Sequence, residues 1–314
     1  MKKPCILMVF VLAASCAGNL HSQDYLTGRV FDLGGPLTQE PQYFSMTSRL
    51  TSFSQDGRPE STDTYELLIM YDPSSGPDST AGEYRCRQFR LSIGDSVELE
   101  LPVLAGWLHG LHPEGMDSTG RVFGIDHSLF ENIKDQNSDI LPLDKRYHVY
   151  NTFIDFHSLT SIFALPSSEG GSIRDLTSIG QKTVHYASFS KPPTNLGAAI
   201  CEGSFFQNGQ IVLEFKGMSM YNGRQCALIG FDSGESTFTM ILQPVPNFTV
   251  TSTGRSRYRG DIYKSLGNNW VQKVTMYETV ISATAMPATP EKIYSVVERE
   301  IVITNISKKE FHKR

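Results

Sequence analysis

Apolar and polar side chains alternate with a period of two through most of the chain, the spacing that turns one face of a strand to a core and the other to water. The run SVELELPV shows it most plainly, with Val97, Leu99, Leu101 and Val103 on one side and Glu98 and Glu100 on the other. Comparable runs lie at 65–71, 84–92, 146–156, 182–189, 238–242, 270–282 and 294–304. They are rich in Val, Ile, Tyr, Phe and Thr, which suit a pleated, half-covered surface. Clusters such as SQDGRPESTD, YDPSSGPDSTAGE, PSSEGG and KPPTN separate them and read as turns. No period of roughly 20–50 residues repeats, which argues against a solenoid or propeller.

Two Asn-Gly pairs, Asn208-Gly209 and Asn222-Gly223, sit between apolar-alternating arms. Asn-Gly supplies the two positive φ angles of a type I′ hairpin, so together they predict a three-stranded meander at 202–207, 210–221 and 224–231. Two-residue turns would set residue 201 opposite 216 and residue 226 opposite 219. Cys201 and Cys226 would then face opposite ways on strands about 9.6 Å apart, two strand spacings. That exceeds the roughly 7 Å Cα limit of a disulfide, so both are expected as free buried thiols. Helical spacing is scarce: Leu159, Ile162 and Phe163 in HSLTSIFA, with Ser158 as N-cap and Pro166 as stop, and a second segment over 126–135. The expected fold is all-β, a mostly antiparallel curved sheet or sandwich with one or two short covering helices.

The first residues change the picture of where this fold works. MKKPCILMVFVLAASCAGNLHS has two lysines, an apolar run from Ile6 to Ala14 and then small residues, the layout of an export signal over 1–22. Nowhere does an apolar stretch reach the roughly 20 residues of a spanning helix. LAASC resembles the bacterial lipoprotein signal, which implies lipidation of Cys16 and a membrane anchor, with Ala13 where that family usually has Leu. Cleavage after Ala17 or Ser22 is the competing reading, and it would discard Cys16. The remainder divides at about residue 142 into an N-terminal β-rich part, 23–142, and a C-terminal meander part, 143–314, which could form one continuous domain. Periplasmic or cell-surface localisation is expected, in a bacterial cell.

Composition narrows the partners. Without Lys2 and Lys3 the chain carries 26 basic against 33 acidic residues, a net charge of −7, which argues against nucleic acid. The basic tail NISKKEFHKR reads as a solvated end. Past the signal only Cys86, Cys201 and Cys226 remain, an odd number that excludes a fully paired disulfide scaffold.

Candidate chemistry is sparse. HGLHPEGMD brings His109, His112, Glu114 and Asp117 close together, with His127 nearby, residue types that suit zinc. The two histidines are three apart with Gly110 and Pro113 beside them, unlike the helical zinc spacing of four. In FIDFHS, read as the end of a strand, Asp155 and His157 would share a face, so the carboxylate could orient the imidazole as a base. The alternative is that both lead into a capped helix start. No G-x-S-x-G elbow, phosphate loop, dinucleotide motif or C-x-x-C pair is present, and no cofactor is expected. Arg257, Tyr258, Tyr263 and Trp270 form an arginine-aromatic segment that suits a recognition surface or a charge-guarded strand edge.

The leading expectation is therefore a non-enzymatic, exported envelope protein that binds a small apolar ligand or an envelope partner on a concave sheet face. The long C-terminal meander is similar in shape to the periplasmic lipoprotein-carrier half-barrels, a resemblance that implies envelope binding. Two alternatives stand: a secreted metal-assisted hydrolase using His109, His112, Glu114, Asp155 and His157, and a structural surface component. Proximity of His109 or His112 to Asp155 or His157 would favour the hydrolase.

Overall fold

The computed structural model describes residues 28–74, 82–94, 97–111, 121–192, 200–287 and 289–314. The segment 1–22 expected to be an export signal, Cys16, His112, Glu114 and Asp117 lie outside them. The described strands form one antiparallel, curved, unclosed sheet. They are β1 (Gln42–Phe53), β2 (Pro59–Asp72), β3 (Glu83–Ile93), β4 (Val97–Glu100), β5 (Leu108–Gly110), β6 (Lys182–Val184), β7 (Phe205–Gln207), β8 (Val212–Tyr221), β9 (Arg224–Asp232), β10 (Ser236–Val245), β11 (Phe248–Ser265), β12 (Val271–Ala285) and β13 (Ile293–Asn305). The order across the sheet is β4-β3-β2-β1-β13-β12-β11-β9-β8-β6, with β10 bridging β11 and β7, and β5 on β3. Because β1 pairs with β13, the sheet is continuous on both sides of residue 142.

Two helices pack on opposite faces. Helix α1 (Leu143–His157) runs on through a π turn, Ser158–Ile162, and buries Val149, Phe153, Phe156 and Leu159 against the inner face. Helix α2 (Lys308–Lys313) is held by a Ser307–Glu310 capping box. Its Phe311 covers Leu68, Ile306, Tyr43 and Met70 on the outer face.

Register lines up the inner face in rows across the strands. Leu67, Met46, Ile303, Val274, Ile262, Ile229 and Phe215 form one row, and Tyr65, Ser48, Ile301, Met276, Gly260, Phe231 and Leu213 the next. Apart from Gly260, these two rows are buried, with α1 against β2, its π turn against β12 and Phe31 edge-on to Phe215 at the far end. Gly260 has no room for a side chain, since a Cβ there would lie 1.8 Å from the Thr275 carbonyl oxygen and 2.7 Å from the Phe231 ring. The third row changes character: Asp63, Leu50, Arg299, Glu278 and Tyr258. Beyond it come Ser52, Val297, Val280, Ser256 and Ser236, then Ser295, Ser282, Gly254, Phe238 and Phe206.

Several expectations change here. Residues 146–156 are helical, not a strand, because Val149, Phe153 and Phe156 fall on one helical face and packing under the sheet outweighs their β preference. Ser158 caps the C-terminal end of α1 instead of starting a new helix, and HSLTSIFA is its π-helical continuation. The segment at 126–135 holds only a short 3₁₀ turn, His127–Phe130, capped by Asp126. Only 182–184 of the run at 182–189 is a strand.

The meander is half realised. Asn222 and Gly223 have φ of 47° and 74° and join β8 to β9, with Cys226 opposite Ser219. At Asn208-Gly209 no hairpin forms, and β7 pairs with β10. A Cβ on Gly209 would lie 2.4 Å from the Glu235 carbonyl oxygen and 2.5 Å from that of Ser233, so glycine here permits a chain crossing. Cys201 is thus not opposite residue 216 and is only half-buried, contrary to expectation, while Cys86, Cys201 and Cys226 are all free thiols.

Candidate functional site

His109 comes from β5, three residues paired to β3 so that His109 stands opposite Tyr84. His157 is the last residue of α1, where the chain widens into the π turn. The two imidazoles meet with Nε2 atoms 2.8 Å apart. Trp107 stacks on His109 at 4.5 Å, and Tyr84 meets His157 edge-on at 4.6 Å. His157 is fully buried and His109 nearly so.

A neutral imidazole carries one N–H. One Nε2 must therefore donate to the other, leaving a bare Nδ1 on the donor and an Nδ1–H on the acceptor. Both Nδ1 atoms are buried without a hydrogen-bond partner among the described residues. Burial holds both imidazoles neutral: His109 is pulled down to about 3, and His157 well below the usual histidine range, aided by His109.

Asp155 does not join them. On a helix, i and i+2 point to nearly opposite sides at about 100° per residue, so the shared face expected of a strand is lost. Asp155 instead binds Nη1 of Arg299 on β13. The same guanidinium donates from Nε to Glu278 at 2.8 Å, with Nη2 2.6 Å from that carboxylate. Ser256 donates to the other Glu278 oxygen at 2.5 Å. Two carboxylates thus share one guanidinium. Burial pushes Asp155 up to about 6, Glu278 adds to the rise, and Arg299 opposes it.

At the other end of α1, Lys145 reaches Asp63 at 2.5 Å. Asp63 and Arg299 both belong to the third row, so the polar flank of α1 lies along that row. This line of charge separates the core from the inner face beyond it. Past the line, Val280, Ser282, Val297, Ser295, Phe238 and Met240 are half-buried. None of them belongs to the core or to the residues packed on it. Hydroxyl pairs stud this surface, Ser282 with Ser295 at 2.7 Å and Ser252 with Thr284 at 2.6 Å.

The arginine-aromatic segment does not form one surface. Arg257 is on the outer face, paired with Asp232 at 2.6 Å. Tyr258 points inward and donates to Asn208 at 2.9 Å. Tyr263 sits near Tyr221 and Lys273. Trp270 is buried, its indole N–H on the Thr38 carbonyl at 2.9 Å. Strand β11 is also no edge, being flanked by β12 on one side and by β9 and β10 on the other.

Arg299, Glu278 and Lys264 were not singled out from the sequence, though the signal was present. Each is in phase with inner apolar residues: Val297 and Ile301 around Arg299, Met276 and Val280 around Glu278, Ile262 before Lys264. Lys264 is fully buried and donates to the carbonyls of Ala164 and Asn269, each at 2.8 Å. Burial pulls it down to about 7, with Asp32 opposing. It ties the end of the π turn to the β11–β12 connection.

Among the described residues no cluster of three or more His, Cys, Asp or Glu side chains is placed to hold a metal ion. Likewise, no described helix is long and apolar enough to cross a membrane.

No protein-family model matches the chain, and neither does any curated protein. Among solved structures, it is aligned with an outer membrane lipoprotein-sorting protein domain from Vibrio parahaemolyticus at 9% identity, over 94% of each chain, with a TM-score of 0.13. Salmonella typhi OmpF in complex with daunomycin aligns at 7% identity over 88% of this chain and 99% of that one, with a TM-score of 0.22. The OmpT loop-deletion mutant of Vibrio cholerae gives 8% identity over 85% and 99%, with a TM-score of 0.15. Superpositions this poor establish neither a common fold nor a common role, so function rests on the chain's own geometry.

Proposed function

We propose that this is an exported cell-envelope binding protein that takes a ligand or an envelope partner along the inner face of β10–β13, on the far side of the Arg299 row. One observation carries the reading: the inner rows of the sheet stop being core at that line, although the strands continue. Val280, Val297, Phe238 and Met240 offer apolar contact there, and Ser282, Ser295, Ser252 and Thr284 offer hydroxyls. A ligand with an apolar body and hydrogen-bonding groups fits this mixture better than a purely apolar one. Export rests on the signal-like first residues, and the alternative of lipidation at Cys16 on LAASC.

Native mass spectrometry of the protein purified from its own host tests both parts. The expected spectrum shows a chain shortened at its N-terminus, by cleavage before Cys16 with added lipid or after Ala17 or Ser22, carrying a non-covalent adduct. An unprocessed chain would overturn export, and a chain without an adduct would overturn the binding role.

A second reading, metal-assisted hydrolysis, draws on the contact between His109 and His157. Against it, Asp155 is committed to Arg299. Metal-ligating imidazoles are held through their other nitrogen, and here both Nδ1 atoms lack a partner. Zinc retained by the wild-type protein and lost in His157→Phe would revive it.

A further inference from the structure

The outer face of the same strands is built differently from the inner. At the Tyr43–Met70 end of β1 and β2 it is covered by α2, whereas on β11–β13 its side chains are open. Tyr277 is 53% and Ile281 56% exposed, both on β12. Register places Arg255, Ile281 and Val296 in one row, Arg257, Thr279 and Glu298 in the next, and Arg259, Tyr277 and Glu300 in the third. A strip of Ile281, Thr279 and Tyr277 on β12 is therefore flanked by three arginines along β11 and by Val296, Glu298 and Glu300 along β13.

In the Tyr277 row the charges continue in antisymmetric order. Asp232, Arg259, Tyr277, Glu300 and Arg49 lie side by side across the strands. Asp232 and Glu235 also bind Arg257 and Arg255 at 2.6 and 3.2 Å. A two-fold axis laid along β12 maps each position to the opposite side of the strip while keeping its row. Asp232 then faces Arg49, Arg259 faces Glu300 and, one row on, Arg257 faces Glu298, the self-complementarity an isologous contact requires.

We propose that this outer face is a homodimer interface, in which the β12 strips of two copies meet and Arg257 of each copy faces Glu298 of the other. The curvature of the sheet limits apolar contact to the central strip, and the long Arg and Glu side chains span the widening gap on either side. The contact is narrow, below the roughly 1,200 Å² of a standard interface, so association is weak and reversible. Salt weakens it, because the flanking pairs remain at the rim.

Sedimentation velocity of the purified protein over a concentration series tests this, alongside thermal melting to confirm folding. Wild type is expected to dimerise with a Kd of about 10–500 µM. Ile281→Asp, Arg257→Glu and Glu298→Arg should each raise that Kd about tenfold or more. Because Arg257 also binds Asp232 in its own chain, the restoring variant is Arg257→Glu/Glu298→Arg/Asp232→Asn, which should return the Kd to within about threefold of wild type with the facing pair's signs exchanged. A wild-type protein that stays monomeric throughout overturns the proposal. So does a dimer indifferent to these substitutions, or one that the triple variant fails to restore.

Discussion

Histidine chemistry in this protein is governed by burial. His109, His148, His157 and His185 are all held below the ordinary value of 6.5, chiefly by desolvation. The unfolded chain takes up protons near 6.5 that the folded chain refuses until much lower pH, so stability falls as pH drops through that window. Asp155 works in the opposite direction. Its raised pKa lets the folded form bind a proton first between about 6 and 3.8, but it is one group against four. Urea unfolding should therefore give a lower midpoint at pH 4.5 than at pH 7, and His157→Phe should reduce the difference. Lys264 acts at the alkaline end. Depressed to about 7 from 10.5, it makes stability rise with pH between those values, and Lys264→Met should flatten that rise.

Arg299 is the residue on which the charged row depends. Replacing it with Leu leaves two carboxylates facing each other and should cost about 3 kcal/mol, somewhat discounted because the cluster is partly wetted. Adding Asp155→Asn and Glu278→Gln should recover more than half of that loss in the same urea measurement. Its role is legible in the amino-acid pattern in one respect: a charge at a position of the apolar phase must be paired or functional. The partner from α1 is not legible there, because it lies 144 residues away along the chain.

At the scale of elements, most strands are legible, but β1, most of β11 and the main helix are not, and the alternating run at 97–103 is a strand only as far as Glu100. Period-two runs with β-branched and aromatic residues, such as 65–71 and 294–304, lie within β2 and β13. The segment from Tyr147 to Phe156 satisfies both a period of two and a helical period. Its aromatic and β-branched content tips a local reading toward strand, and the tertiary burial of Val149, Phe153 and Phe156 decides for helix. That one change moved Asp155 and His157 from a common face to opposite sides, so the sequence set His109 beside His157, which meet, but gave Asp155 the wrong partner in place of Arg299. Asn208-Gly209 misled for a related reason, since glycine there serves close approach of chains instead of a hairpin. Phe153, fully buried against Phe89 at 5.7 Å, anchors α1 to the sheet. Phe153→Ala should lower stability by about 3–5 kcal/mol in denaturant unfolding.

For the whole molecule, the organising feature is a sheet longer than the core it covers. Two inner rows are filled by α1 and its π turn, a charged row closes that core, and further rows remain half-covered. The half-covered rows are the surface that the proposed binding role would use. The most direct measurement is native mass spectrometry of host-purified wild type beside Val280→Arg, which blocks the inner face, and Thr64→Arg, the same change on the outer face of β2. The account predicts an adduct in wild type and Thr64→Arg that Val280→Arg abolishes without loss of folding. An adduct retained by Val280→Arg, or absent from all three proteins, would contradict it.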